Sequence, residues 1–170
     1  YWPVDYADLM KYDAIVLANL DANALGVLGQ EMLRDYVEHG GGLVVLGGMF
    51  TLGNGHFSES RFADLLPIMP VKPFELRPLP VKTLIATGEF SGMNGKLALY
   101  ANKLTPRPGA RVVLSAGEAP LLVVGEAGKG RVAVLGVAPL GKAPEGSTAL
   151  WTATDWPQQL AGIIRWSAAR

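Results

Sequence analysis

Two stretches carry residue types that could do chemistry together on one rim of a folded domain. The first is Gly47-Gly48-Met49-Phe50-Thr51-Leu52-Gly53-Asn54-Gly55-His56-Phe57, which follows the apolar run Leu43-Val44-Val45-Leu46. That run reads as a buried parallel strand, and in open α/β sheets ligands bind beyond the carboxyl ends of such strands. His56 is the histidine of this loop, able to act as acid, base or ligand near neutral pH. The second stretch holds Asp21 and Asn23, which follow an earlier strand and fall on the same rim. Asp21, Asn23, Gly48, Met49 and His56 are therefore the candidate ligand-binding residues. Approach of Asp21 and His56 to within ~3 Å, directly or through one water, would separate an enzyme from a binding module. A pocket joining Asp21, Met49 and His56 would favour binding or catalysis, and a filled rim would favour a structural role.

Each feature also has a plainer reading. Gly48 and Gly53 have the spacing of a phosphate loop, but Asn54 and Gly55 stand where lysine and a hydroxyl residue are needed. Gly53-Asn54-Gly55 opens a dinucleotide fingerprint, and Ser58 replaces its third glycine. The favoured reading is a tight strand-to-loop turn, with a ligand-contacting loop as the alternative. A single histidine without convergent partners is poor evidence for a metal, so no metal and no cofactor is expected. His39 closes a helix, where a cation offsets the dipole, and Asn23 is favoured as a helix N-cap. Gly128-Lys129-Gly130-Arg131 suits an ordinary hairpin turn better than an anion nest. Trp151, Trp156 and Trp166 are read as core or interface anchors ahead of a sugar platform.

Composition removes several classes of function. The chain has no cysteine, which excludes disulfides, thiolate zinc sites and cysteine nucleophiles. Fifteen basic and fifteen acidic side chains give a formal net charge of zero, against the basic excess of nucleic-acid binders. Zero charge also removes one brake on self-association and so points towards a homo-oligomer or a larger parent protein. No apolar run approaches the ~20 residues that span a bilayer, so no membrane contact is expected of this segment. The opening Tyr1-Trp2-Pro3-Val4-Asp5 reads as neither an initiator methionine nor a signal peptide, hence as a piece of a longer protein. The compartment stays open, with the cytoplasm ahead of the periplasm; the latter would fit a membrane-anchored parent.

The elements that must position these residues are legible in outline. Asp13 to Asn19 reads as a buried strand, and Leu25, Leu28, Met32, Leu33, Tyr36 and Val37 recur at helical spacing after it. Gly40-Gly41-Gly42 supplies the stop, and Leu43 to Leu46 the next strand. Strand, helix and strand with short joints predict a right-handed βαβ crossover. Ser58 to Leu66 is expected as a short helix ended by Pro67. The proline-rich 67–80 stretch is expected to be extended. Short strands are expected at 81–87, 96–100 and 111–115. A hairpin is expected from 120–124 and 131–135, and a last helix begins at Asp155-Trp156-Pro157 with Leu160, Ile163, Ile164 and Ser167 on one face.

Tyr12-Asp13-Ala14-Ile15-Val16-Leu17, then Leu33-Arg34-Asp35-Tyr36-Val37 and Gly40-Gly41-Gly42-Leu43-Val44-Val45-Leu46-Gly47-Gly48, resemble glutamine amidotransferase-like domains of bacteria, including relatives of trehalose-utilisation-like proteins. Gly128-Lys129-Gly130-Arg131-Val132 and Ile163-Ile164-Arg165-Trp166 agree with the resemblance, which is weakest from Pro67 to Pro108. It implies one α/β domain over 1–170, a flavodoxin-like and mostly parallel sheet flanked by helices, with a β-rich excursion around 67–115. It also implies a preceding strand and helix, without which the sheet would be short or completed by another chain. Active members use a cysteine at a sharp turn, a histidine and a glutamate, with backbone N–H groups stabilising the oxyanion. Matching the elbow to Leu46-Gly47-Gly48-Met49 puts Met49 at the nucleophile position. Matching the histidine-proline-glutamate segment to Val137-Ala138-Pro139-Leu140 puts Ala138 and Leu140 at the other two. Asn19-Leu20 replaces the glycine pair near the oxyanion site. Glutamine hydrolysis by that mechanism is excluded by the missing thiol alone.

The resulting expectation is a non-catalytic amidotransferase-like domain that binds a small molecule or serves assembly with other domains of a larger bacterial protein. One alternative is an enzyme of different chemistry, such as a carbohydrate-related hydrolase or isomerase using Asp21 and His56. Another is a purely structural subunit-contact domain.

Overall fold

The computed structural model describes residues 2–3, 5–69 and 71–169, so Tyr1 and Val4 of the opening and Pro70 of the proline-rich stretch lie outside the described residues. Strands β1 (Ala14–Ala18) and β2 (Gly42–Leu46) run parallel, joined by helix α2 (Gly26–Glu38); a one-turn helix α1 (Tyr6–Leu9) precedes them. Strand β2 then pairs in parallel with β8 (Gly130–Leu135). Beyond β8 the pairing turns antiparallel through β7 (Ala119–Ala127), β6 (Arg111–Ala116) and the short β4 (Ile85–Ala86). The central sheet is thus β1-β2-β8-β7-β6-β4, with β1 and β4 at its edges. A second, antiparallel sheet joins β3 (Leu76–Pro78), β5 (Tyr100–Asn102) and β9 (Val137–Ala138). The α/β class and flavodoxin-like core hold, and the 67–115 excursion supplies β3 to β6.

Alternation along the strands divides the core. Leu43 and Val45 of β2 and Val132 and Val134 of β8 pack with Met32, Leu33, Tyr36 and Val37 of α2. Their neighbours Val44, Ala133 and Leu135 face the other way, towards Ile163 of helix α3 (Trp156–Ala168). Burial of each large side chain of α2 contributes about 1.5–3 kcal/mol, which is why this helix holds without an N-terminal side-chain cap of its own.

Local details depart from expectation in five places. Asn23 is not the cap: Asp21 has the extended backbone, and its carboxylate accepts the Asn23 amide at 2.8 Å to start a 3₁₀ turn, Ala22–Leu25, ahead of α2. Leu28 is 56% exposed, not buried, and its neighbours Gly29 and Gln30 take the inward positions of that turn. Gln30 takes a buried place, donating to Ala22 O and accepting from the Arg61 amide. Ser58 to Leu66 forms two 3₁₀ turns, Phe57–Glu59 and Ala63–Leu65, in place of one helix. Between them the backbone is drawn in by the Arg61 contact and by Phe62, whose ring meets Phe57 edge-on at 5.4 Å. The strands expected at 81–87 and 96–100 shrink to β4, the start of β5 and a bridge from Thr83 to Leu97. The 128–129 hairpin is tighter than its glycines required, with Ala127 already paired to Gly130.

Candidate functional site

At the carboxyl ends of β1 and β2 the chain makes two adjacent turns, and two asparagines hold them. Asn19, in the left-handed region at φ 48°, accepts the Phe50 amide on Oδ1 at 2.9 Å. Asn102, only 4% exposed, accepts the Gly48 amide at 3.0 Å and returns a bond to Gly48 O at 3.3 Å. A side chain at Gly48 would place its Cβ 2.3 Å from Asn19 Oδ1, so any other residue here would push Asn19 off the Phe50 amide. Asn54 ties the loop further, donating to Met49 O at 3.2 Å and accepting the Phe74 amide at 2.7 Å. Met49 and Phe50 are left exposed at the turn.

Asp21 and His56 converge. Nδ1 of His56 lies 2.8 Å from Asp21 Oδ2, and Ala22 N donates to Gly55 O beside it, so the two rim loops are clasped by a side-chain and a backbone contact. Partial burial pushes the Asp21 carboxyl up, but the Asn23 amide and the His56 ring outweigh it, leaving the group below its ordinary range. With Asp21 ionised, Nδ1 is the nitrogen that donates to it. His56 sits at φ 56° and buried Leu52 at φ 53°, so three non-glycine residues with positive φ, counting Asn19, gather in these turns. Such strain of order 1 kcal/mol or more per residue is concentrated at functional sites. Asn23 is exposed and contributes its backbone amide to Asp21.

A cavity of about 200 Å³ opens at the same carboxyl rim, towards the α3 side of the sheet. Asn19, Gly47, Pro139, Trp151, Trp156 and Leu160 are among its walls, and every residue lining it is neutral. Asp21, Met49 and His56 do not line it. The rim is therefore neither filled nor a single pocket: the dyad stands on open surface and the cavity lies beside it. Ala138 is fully buried on β9 and presents nothing to solvent, while Leu140 bonds its amide to Ala138 O. Among the described residues no group of three or more histidine, aspartate or glutamate side chains could hold a metal ion.

Asn102 was not visible in advance, because its partner Gly48 is 54 residues away and the surrounding Tyr100-Ala101-Asn102-Lys103 carries no pattern. Asn19 was visible only as a departure from paired glycines. Trp151 and Trp156 do pack against the core, as expected of anchors, and also wall the cavity.

A mixed α/β sheet with parallel β1, β2 and β8 and a glycine elbow after its second strand fit an amidotransferase-like class of domain. The profile of the family described as "putative glutamine amidotransferase" (GATase1-like) matches residues 1–156, and the chain belongs to that family. Comparison with curated proteins finds none that matches. Among solved structures, the cytoplasmic protein STM3548 of Salmonella typhimurium is similar at TM-score 0.84 and 21% identity, over 98% of this chain and 76% of that one. A ThuA-like protein of Bacteroides uniformis gives TM-score 0.64 and 17% identity, over 98% and 72%. The cold-adapted β-galactosidase of Rahnella sp. R3 gives 0.59 and 15%, over 93% of this chain but 23% of that one. At these identities the likeness concerns the fold.

Proposed function

We propose that this domain is a non-catalytic amidotransferase-like module that binds a neutral small molecule in the rim cavity, as one part of a larger bacterial assembly. The observation that carries the reading is the lining of that cavity: it lies where the fold class binds ligands, and no acid, base or nucleophile faces it. The elbow supports it. There is no thiol, and the Phe50 amide, which follows the nucleophile position and would serve an oxyanion, already donates to Asn19. At about 200 Å³ the cavity is smaller than the roughly 300–1,000 Å³ of drug-sized pockets. It suits one ring with an apolar face against Trp151 and Trp156. Recurrence of the fold as 23% of a β-galactosidase chain supports a role inside a longer protein. Titration of tryptophan emission with neutral sugars, nucleosides and aromatic amides tests this. A saturable change that is reduced in Trp156→Phe, with the compound recovered unchanged by mass spectrometry, is expected. A compound consumed at the rim would overturn the non-catalytic claim.

The 2.8 Å contact of Asp21 and His56 favours a second reading, a hydrolase or isomerase in which Nε2 of His56 moves a proton. It ranks behind because the ring is half exposed outside the cavity, and because clasping two loops already accounts for the pair. Turnover of a chromogenic glycoside that disappears in His56→Gln would put this reading first.

A further inference from the structure

At the opposite end of the sheet from the rim lies a larger cleft, about 500 Å³, lined by Arg107, Arg111, Arg131, Asp64 and Glu126 with Trp166 at its side. Strand β8 begins here, and Arg111 of β6 and Arg131 of β8 lie opposite Val124 and Glu126 of the intervening β7. Two guanidinium groups are fixed in advance. Arg107 donates from Nε to Leu66 O at 3.0 Å and from Nη2 to Ala63 O at 3.4 Å. Arg131 donates from Nη1 to Trp166 O at 3.3 Å, and its Cζ lies 5.5 Å from the centre of the Trp166 ring. Each guanidinium has five N–H donors, so both keep donors for a ligand. Arg111 is exposed and makes no ion pair among the described residues.

Charge decides what the cleft would take. Asp64 meets Arg34, whose two terminal nitrogens lie 2.6 and 2.9 Å from its two oxygens, and Arg34 also reaches Glu38 at 3.0 Å. Counting Arg34 and Glu38 with the lining leaves four arginines against Glu38, Asp64 and Glu126, an excess of one positive charge on one cleft of a chain whose formal net charge is zero. A carboxylate presents two acceptor oxygens, whereas a phosphate monoester carries close to two negative charges at neutral pH and presents three, one for each guanidinium group of the cleft.

We propose that this cleft is a binding site for a small phosphate monoester, held by Arg107, Arg111 and Arg131. It is independent of the rim cavity. The test is calorimetric titration of the whole chain with phenyl phosphate at low ionic strength, with succinate as the non-phosphate dianion. Arg111→Glu is the informative variant, since an exposed side chain without an ion pair can be reversed with the fold intact, as an unchanged melting midpoint would verify. Lys142→Glu, an exposed position outside the cleft, controls for overall charge. Saturable binding of phenyl phosphate that weakens at least about tenfold in R111E, the equivalent of about 1.4 kcal/mol, and not in K142E is expected. Absence of binding, equal weakening in both variants, or equal affinity for succinate would overturn the assignment.

Discussion

Met49 is the residue that the family resemblance matches to the nucleophile, and the turn around it is built from asparagine contacts that leave little for catalysis to use. A thioether cannot be ionised, and the neighbouring amide is spent on Asn19. Restoring sulfur chemistry should therefore not restore function. In Met49→Cys, alkylation by iodoacetamide should titrate near the ordinary thiol value of about 8.5, and glutamine should release no ammonia. A markedly lower apparent value would mean that His56 reaches the elbow and activates it. Asn102 makes a separate prediction. Its side chain is buried and satisfies both polar atoms of the Gly48 peptide, so Asn102→Ala leaves a buried N–H without its acceptor. A loss of about 1–3 kcal/mol in denaturant unfolding is expected; an unchanged midpoint would show that the elbow relaxes to other partners.

Helix α2 and the two 3₁₀ turns after the rim loop are joined by the Arg34–Asp64 pair. The Arg34 hydrogen bonds hold the Asp64 carboxyl below its ordinary 3.8, outweighing the opposing effect of burial. A depressed carboxylate contributes stability that is present above its unfolded pKa and lost as pH falls through the folded one. The melting midpoint should accordingly fall as the solution is taken below about pH 4. Asp64→Asn should flatten that acid limb and lower the neutral-pH midpoint slightly, because both partners are partly exposed. An acid limb of equal steepness in the variant would assign it to other carboxylates. Element-scale structure is also where the sequence was most legible. The apolar runs of β1 and β2, the triple glycine after α2 and Gly128 between β7 and β8 announce their elements through local rules of burial and backbone freedom. Gln30 and the two 3₁₀ turns escaped because a contact between Gln30 and Arg61 decides them, and it has no local signature. At the site, Asp21 and His56 were found as a pair, whereas Asn102 was hidden by its distance along the chain.

Across the whole molecule, the two ends of the sheet offer two different environments. The carboxyl rim offers a neutral cavity walled by tryptophans, and the other end gathers arginines. A net charge of zero conceals this division, which only the fold brings out. The central claim is that the rim cavity binds and does not transform. A thermal-shift panel of neutral ring-bearing compounds on the chain and on Ala18→Phe, which puts a bulky ring at the cavity's edge, tests it most directly. At a hundred times its dissociation constant a ligand stabilises the folded chain by ~2.7 kcal/mol. At least one compound should raise the midpoint of the unaltered chain, fail to raise that of the variant and be recovered intact. A well-folded chain that no neutral compound stabilises, or an equal shift in both proteins, would contradict it.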